Sequence, residues 1–208
     1  MKYCKLFSIV FFMAGTNLLA QAAGGSPAKP EKGPNAFSAA IDAEITQLEK
    51  QFVAAAEAMP EDKFNASPET LNLAGSEFKG VRTYADQVKH VAADNFAIWA
   101  PLTGKPEPLG INAPNGPQGM KSRAEILKFL EDSFAYSHQA VAGLTAENAL
   151  ELVEFRGNKV SRMSLVILAF THATDHYGQM VEYLRMNGIV PPASNKKGMQ
   201  MPAKPSGK

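Results

Sequence analysis

Four long segments of this chain carry apolar residues at three- and four-residue steps, and each is bounded by its own start and stop signals. The first runs from about Ser38 to Met59, with Ile41, Ile45, Leu48, Phe52, Ala55 and Met59 on one stripe, and Pro60 ends it. The second runs from about Tyr84 to Ala100; Thr83 caps it, and Tyr84, Val88, Val91, Asn95, Phe96 and Trp99 form its buried side. The third opens on the capping box Ser122-Arg123-Ala124-Glu125 and continues to about Val141, turning Ile126, Leu127, Leu130, Phe134, Ser137 and Val141 inward. The fourth is capped by Ser161, spans about Arg162 to Asn187 and stops at Gly188 and Pro191-Pro192. Its start (Met163, Leu165, Val166, Ile167, Leu168, Phe170) is apolar nearly all round, so burial on several sides is expected there. Leu152 to Phe155 reads as briefly extended before a turn at Arg156-Gly157-Asn158. The fold class that follows is all-α, a four-helix bundle.

The connections limit how the bundle is wound. Residues 101–121 are rich in proline and glycine, too long for a tight turn and suited to a crossover. The second helix is about 25 Å long at its rise per residue. An extended segment of this length reaches about 70 Å, enough to return along it, so helices two and three can run parallel.

The two ends read differently. Lys2 and Lys5, the apolar run Leu6 to Ala20, and Ala20-Gln21-Ala22 have the layout of a secretory signal peptide spanning residues 1–22. The run falls short of the roughly 20 residues a membrane span needs. Cys4 is the only cysteine and precedes the apolar run, so cleavage leaves no disulfide and no thiolate. Basic residues then fall from 21 to 19 against 20 acidic, which gives no electrostatic case for nucleic acid or a membrane surface as partner. Residues 23–36 read as a flexible linker, 37–193 as the bundle and 194–208 as a disordered tail. The expected location is periplasmic or secreted.

The chemistry concentrates in His172-Ala173-Thr174-Asp175-His176-Tyr177-Gly178-Gln179. Residues four apart on a helix share a face, so His172 and His176 point the same way and offer two imidazole nitrogens from one element. His90 is the candidate third ligand. Asp86 lies one turn before it and Asp94 one turn after. Either His90 binds a metal while one of those carboxylates holds its other N–H, or it is a partly exposed imidazole between two solvated acids. His172, His176 and Gln179 interrupt a largely apolar helix and must find partners, from a cation with water or from Tyr, Asp and backbone groups. His138 borders the third stripe and reads as structural or superficial.

The spaced elements His90-Val91-Ala92-Ala93-Asp94, His172 through Gln179, Tyr183-Leu184-Arg185, Gly188 and Pro191-Pro192 resemble the DinB-like (damage-inducible) family over about residues 38–193. The resemblance implies an up-down-down-up bundle with a long crossover between helices 2 and 3. It also implies a divalent metal (Zn, Ni or Fe) on three histidines, which fall on His90, His172 and His176. Relatives of that family include thiol-dependent transferases and an isomerase. Tyr177 departs from the basic residue usual after the second histidine of the pair. Three nitrogens plus an open position is the arrangement of catalytic zinc. Asp94, Asp175, Tyr177 and Gln179 are the candidate shuttle or supporting residues. The expected function is an exported metal-dependent hydrolase or transferase acting on an unidentified small molecule. A non-catalytic metal binder and a helical scaffold, with a second copy of the chain as partner, are the alternatives.

Overall fold

The structure is a computed structural model that describes residues 35–72, 74–108 and 115–195. The leader, most of the linker and nearly all of the tail therefore lie outside the described residues, as does part of the 101–121 connection. Four helices form the bundle: α1 (Ala36–Ala58), α2 (Tyr84–Thr103), α3 (Arg123–Val141) and α4 (Arg162–Met186). A short antiparallel hairpin, β1 (Leu152–Phe155) and β2 (Asn158–Ser161), precedes α4. Among the described residues no helix is long and apolar enough to cross a membrane.

The start signals act as their chemistry requires. The side chains of Thr83, Ser122 and Ser161 each accept a hydrogen bond from a backbone N–H in the first turn of the helix that follows, and Ser122 with Glu125 completes the reciprocal box. Asn35 does the same for α1, whose first turn therefore starts at Ala36, slightly ahead of the stripe beginning at Ile41. Helix α2 runs past its expected end at Ala100, through Pro101 to Thr103, before Gly104 caps it at φ 66°. A proline so near the C-terminus removes one intrahelical hydrogen bond and leaves the rest of the ladder intact.

Side-chain pairings give the winding. Phe96 of α2 stacks on Phe129 of α3 at 5.5 Å, and Thr103 lies 3.5 Å from Tyr136, so these two helices run parallel. Against α4, α2 is antiparallel: Tyr84 meets Tyr183, and Trp99 meets Phe170. Helices α1 and α3 are antiparallel, with Phe52 beside Phe134 and Arg123 donating to the carbonyl of Met59. Phe52 also meets Tyr177, and Lys63, just past α1, donates to the carbonyl of Asn187 just past α4, a parallel pair. The chain thus runs up, down, down, up.

Burial corrects one expectation. Helix α2 is covered on nearly every side, including Lys89 and His90. The start of α4 is not, since Ile167 and Leu168 are 56% and 37% exposed. Among the described residues helix α4 packs chiefly against α2 and α1, with a smaller contact to β2, so its apolar start has more surface than neighbours.

His138 ties α3 to α1. Its Nδ1 lies 2.6 Å from Asp42 Oδ1 and its Nε2 3.2 Å from Glu49 Oε2. Burial pulls its pKa down, but the hydrogen bonds and charges of the two carboxylates outweigh burial and leave it raised. The clamp therefore contributes fully below the unfolded histidine pKa of about 6.5 and fades as pH rises through the higher folded value. With partly exposed partners its worth is about 1 kcal/mol. His138→Gln is expected to destabilise the protein more at pH 5.5 than at pH 8.5 in urea titrations. An equal loss at both would remove the ionic account.

Candidate metal centre

The antiparallel crossing of α2 and α4 brings His90 opposite His172 and His176. The three rings lie with centroids 4.5 to 5.0 Å apart, and each offers a nitrogen within 4.8 Å of the other two. His90 and His176 are buried, while the His172 side chain keeps 19% exposure. Two donors about 2.0–2.1 Å from a tetrahedral ion stand roughly 3.3 Å apart. His90 Nε2 and His172 Nε2 are 3.1 Å apart.

Asp94 completes the group, but not in the place expected for it. Its Oδ2 lies 3.0 Å from His172 Nε2 and 3.8 Å from His90 Nε2, on the converging side of the rings and not behind them. Two imidazole nitrogens and a carboxylate oxygen thus crowd one point. A proton satisfies one of these contacts at a time; a divalent cation satisfies all of them, so the donor set fits a metal. Burial would raise the Asp94 pKa, but the hydrogen bond from His172, the charges of both histidines and Arg156 overcome it and hold the carboxyl below its ordinary range.

Arg156 comes from the hairpin tip. The two-residue turn Arg156-Gly157 has φ of 48° and 79°, the left-handed pair that a tight hairpin of this twist needs. The turn lets the Arg156 guanidinium donate to Asp94 Oδ1 at 2.9 Å, leaving Oδ2 toward the imidazoles.

The tautomer of His176 is fixed by a chain of amides. Asp175 accepts from Gln179 Nε2 at 2.8 Å, Gln179 Oε1 accepts from Gln87 Nε2 at 2.7 Å, and Gln87 Oε1 accepts from His176 Nδ1 at 2.7 Å. A carboxylate can only accept, so Asp175 sets the direction of every bond in the series. Nδ1 of His176 must carry the proton, and the Nε2 lone pair is left for the cluster. Burial, then the neighbouring imidazoles and Arg82, push the His176 pKa down to about 4, so the ring is neutral at pH 7, as ligation requires.

Breaking the series at its source, with Asp175→Ala, is expected to weaken zinc affinity about 10- to 100-fold, the usual effect of losing such outer support. Competition with a chelator reads this directly, and an unchanged affinity would show that the amides do not set the ring.

Other candidates fall elsewhere. Asp86 does not support His90; it pairs with Lys89 at 2.9 Å and closes the cap with Thr83. Tyr177 turns to the α1 side, its ring 5.6 Å from Phe52. The hydrogen bonds of Asp175 and Gln179 reach His176 through Gln87. Gln87 and Arg156 were not foreseen. Gln87 sits three residues before His90, so helical spacing alone placed it on the ligand face. Nothing local pointed Arg156 at Asp94.

The family model described as DinB superfamily matches residues 44–180, a span that holds all three histidines and Asp94. Among solved structures, the crystal structure of a DinB-like protein from Bacillus cereus is similar in fold. It is 13% identical, with a TM-score of 0.57 over 73% of this chain and 93% of that one. No curated protein matches this sequence.

Proposed function

This chain belongs to the DinB superfamily, and on that premise we propose that it holds one divalent metal ion on His90, His172 and His176. We read it as a metal-dependent hydrolase or group transferase acting on a small molecule. Zinc, nickel and iron all suit three imidazoles. The supporting observation is the convergence of two imidazole nitrogens and the Asp94 carboxylate, with His176 held in the ligating tautomer. A bound ion there supplies Lewis acidity, polarising a substrate oxygen and making water a nucleophile near neutral pH.

The residues of the chain divide the remaining work. The three rings hold and orient. Asp94, ionised and aimed by Arg156, accepts a proton at Oδ2 from the attacking group and returns it to the leaving group. The proximity of Asp94 to two ligating nitrogens also favours a second reading, a closed site in which its carboxylate is a fourth ligand and no reaction occurs.

Asp94→Asn separates the two. As a proton acceptor, its loss leaves one metal per chain and lowers turnover about 10²- to 10⁴-fold on a chromogenic ester and thiol-transfer panel. A large drop in metal affinity, with no activity in the parent, would favour the closed site.

Export is part of the proposal. The leader-like residues 1–22 support a periplasmic or secreted protein, and intact mass of the exported chain is expected to begin at Ala23.

A further inference from the structure

The tip of the hairpin holds a residue that its turn does not favour. Arg156 has φ 48°, in the left-handed region where a two-residue hairpin turn usually places Asn, Asp or Gly. An arginine persists there when contacts outside the turn compensate. Two such contacts are present. The Arg156 guanidinium lies 5.0 Å from the centroid of the Phe155 ring, and its Nη2 donates to Asp94 Oδ1 on α2 at 2.9 Å.

The two ends of this ion pair are anchored unequally. The Asp94 side chain is 16% exposed and the Arg156 side chain 61%. The guanidinium can therefore leave without disturbing packing, whereas the carboxylate stays beside the imidazoles.

That carboxylate is shared between two sides. Oδ1 accepts from Arg156, while Oδ2 stands 3.0 Å from His172 Nε2 and 3.8 Å from His90 Nε2. A divalent ion held by the imidazoles attracts the same negative charge that Arg156 attracts. While the guanidinium draws on Asp94, the carboxylate is the weaker ligand, and an ion on three imidazoles keeps a position for substrate or water. Released from Arg156, Asp94 can give its charge wholly to the ion and fill that position. The open and closed readings of the site are then two states of one contact.

We propose that Arg156 is a positioning residue, a strap at the hairpin tip that competes with the bound ion for Asp94 and so keeps the metal centre open to small ligands. This role presupposes the metal-dependent reading above.

Arg156→Asn tests it, because Asn suits the turn and removes the guanidinium. Zinc affinity is read by chelator competition, and access to the ion by azide, a small anion whose binding shifts the visible bands of the cobalt-loaded protein. The parent should respond to azide. The Asn variant should bind zinc about 10- to 100-fold tighter, the worth of one charge-assisted hydrogen bond written as a ratio, and should no longer respond to azide. In an Asp94→Asn background the same substitution should change zinc affinity less than about threefold. Arg156→Lys, which still offers Oδ1 a cation and guards against an Asn variant that disturbs the turn, should keep the azide response. Unchanged or weaker zinc binding by Arg156→Asn, an azide response that survives in it, an azide-insensitive Lys variant, or an equal gain in the Asp94→Asn background would each overturn the strap. The last would reduce Arg156 to simple charge repulsion. These failures leave the metal centre standing, whereas a parent that binds no zinc removes the metal-dependent reading and the strap together.

Discussion

Replacing His90, His172 or His176 singly with alanine is expected to lower zinc affinity by two to three orders of magnitude, while His138→Ala leaves it unchanged. Structural zinc sites with four ligands yield about 10–16 kcal/mol, so one ligand carries roughly 3–4 kcal/mol, a factor of a few hundred or more. The comparison with His138 matters because that imidazole is also paired with carboxylates, yet its two nitrogens face different partners, Asp42 and Glu49. It cannot direct one lone pair into a shared point. His176→Ala also opens a void in a buried position, so its melting temperature will fall even without metal. Reading affinity by chelator competition in the folded range separates the two effects. Equal losses from the His138 and His176 variants would mean that metal is bound by scattered surface imidazoles.

Phe52→Ala is expected to destabilise the fold by about 3–5 kcal/mol, lowering the melting temperature by roughly 10–15 °C for a domain of this size. Phe52 is fully buried, and its ring touches Phe134 of α3 at 5.9 Å and Tyr177 of α4 at 5.6 Å, so one side chain joins three helices. The lost area and the cavity act together there, since no exposed group stands ready to fill the space. Phe52 has no ring contact with the imidazoles, however. Below its transition the variant should bind zinc within about tenfold of the parent, because α2 and α4 are also held together by Tyr84, Trp99 and their partners. Urea titration and zinc competition on the same sample check both halves. A stable variant that has lost zinc would place Phe52 in the site's support and not in the core.

These two expectations also mark what could be read from the chain alone. Helix α1 and its stripe follow from spacing, because each of its apolar residues meets the core by period alone. The caps at Thr83, Ser122 and Ser161 were legible because a short polar side chain beside a helical run has one dominant use. The histidine pair was legible because helical spacing fixes direction, His90 joined it as a set through the family resemblance, and the long connection left room for α2 and α3 to run parallel. Direction toward a partner helix was less accessible. Asp94 was expected either behind an imidazole or as a solvated acid, and its Oδ2 stands beside His172 Nε2 and His90 Nε2, since which side of a ring a carboxylate reaches depends on the crossing of α2 and α4. Arg156 arrives through a hairpin whose tip geometry is local but whose target is remote in sequence. Tyr177 adjoins His176 in the chain, yet a step of one residue on a helix turns it by about 100°, toward α1.

Cobalt titration of the chelator-stripped protein addresses the shared ion most directly, because the visible bands of the metal report both stoichiometry and ligand field. One equivalent per chain should bind with saturable d–d absorption, and the His90, His172 and His176 triple alanine variant should show none. Absorption that never saturates at one equivalent, or that survives in the triple variant, would contradict a common metal position between α2 and α4.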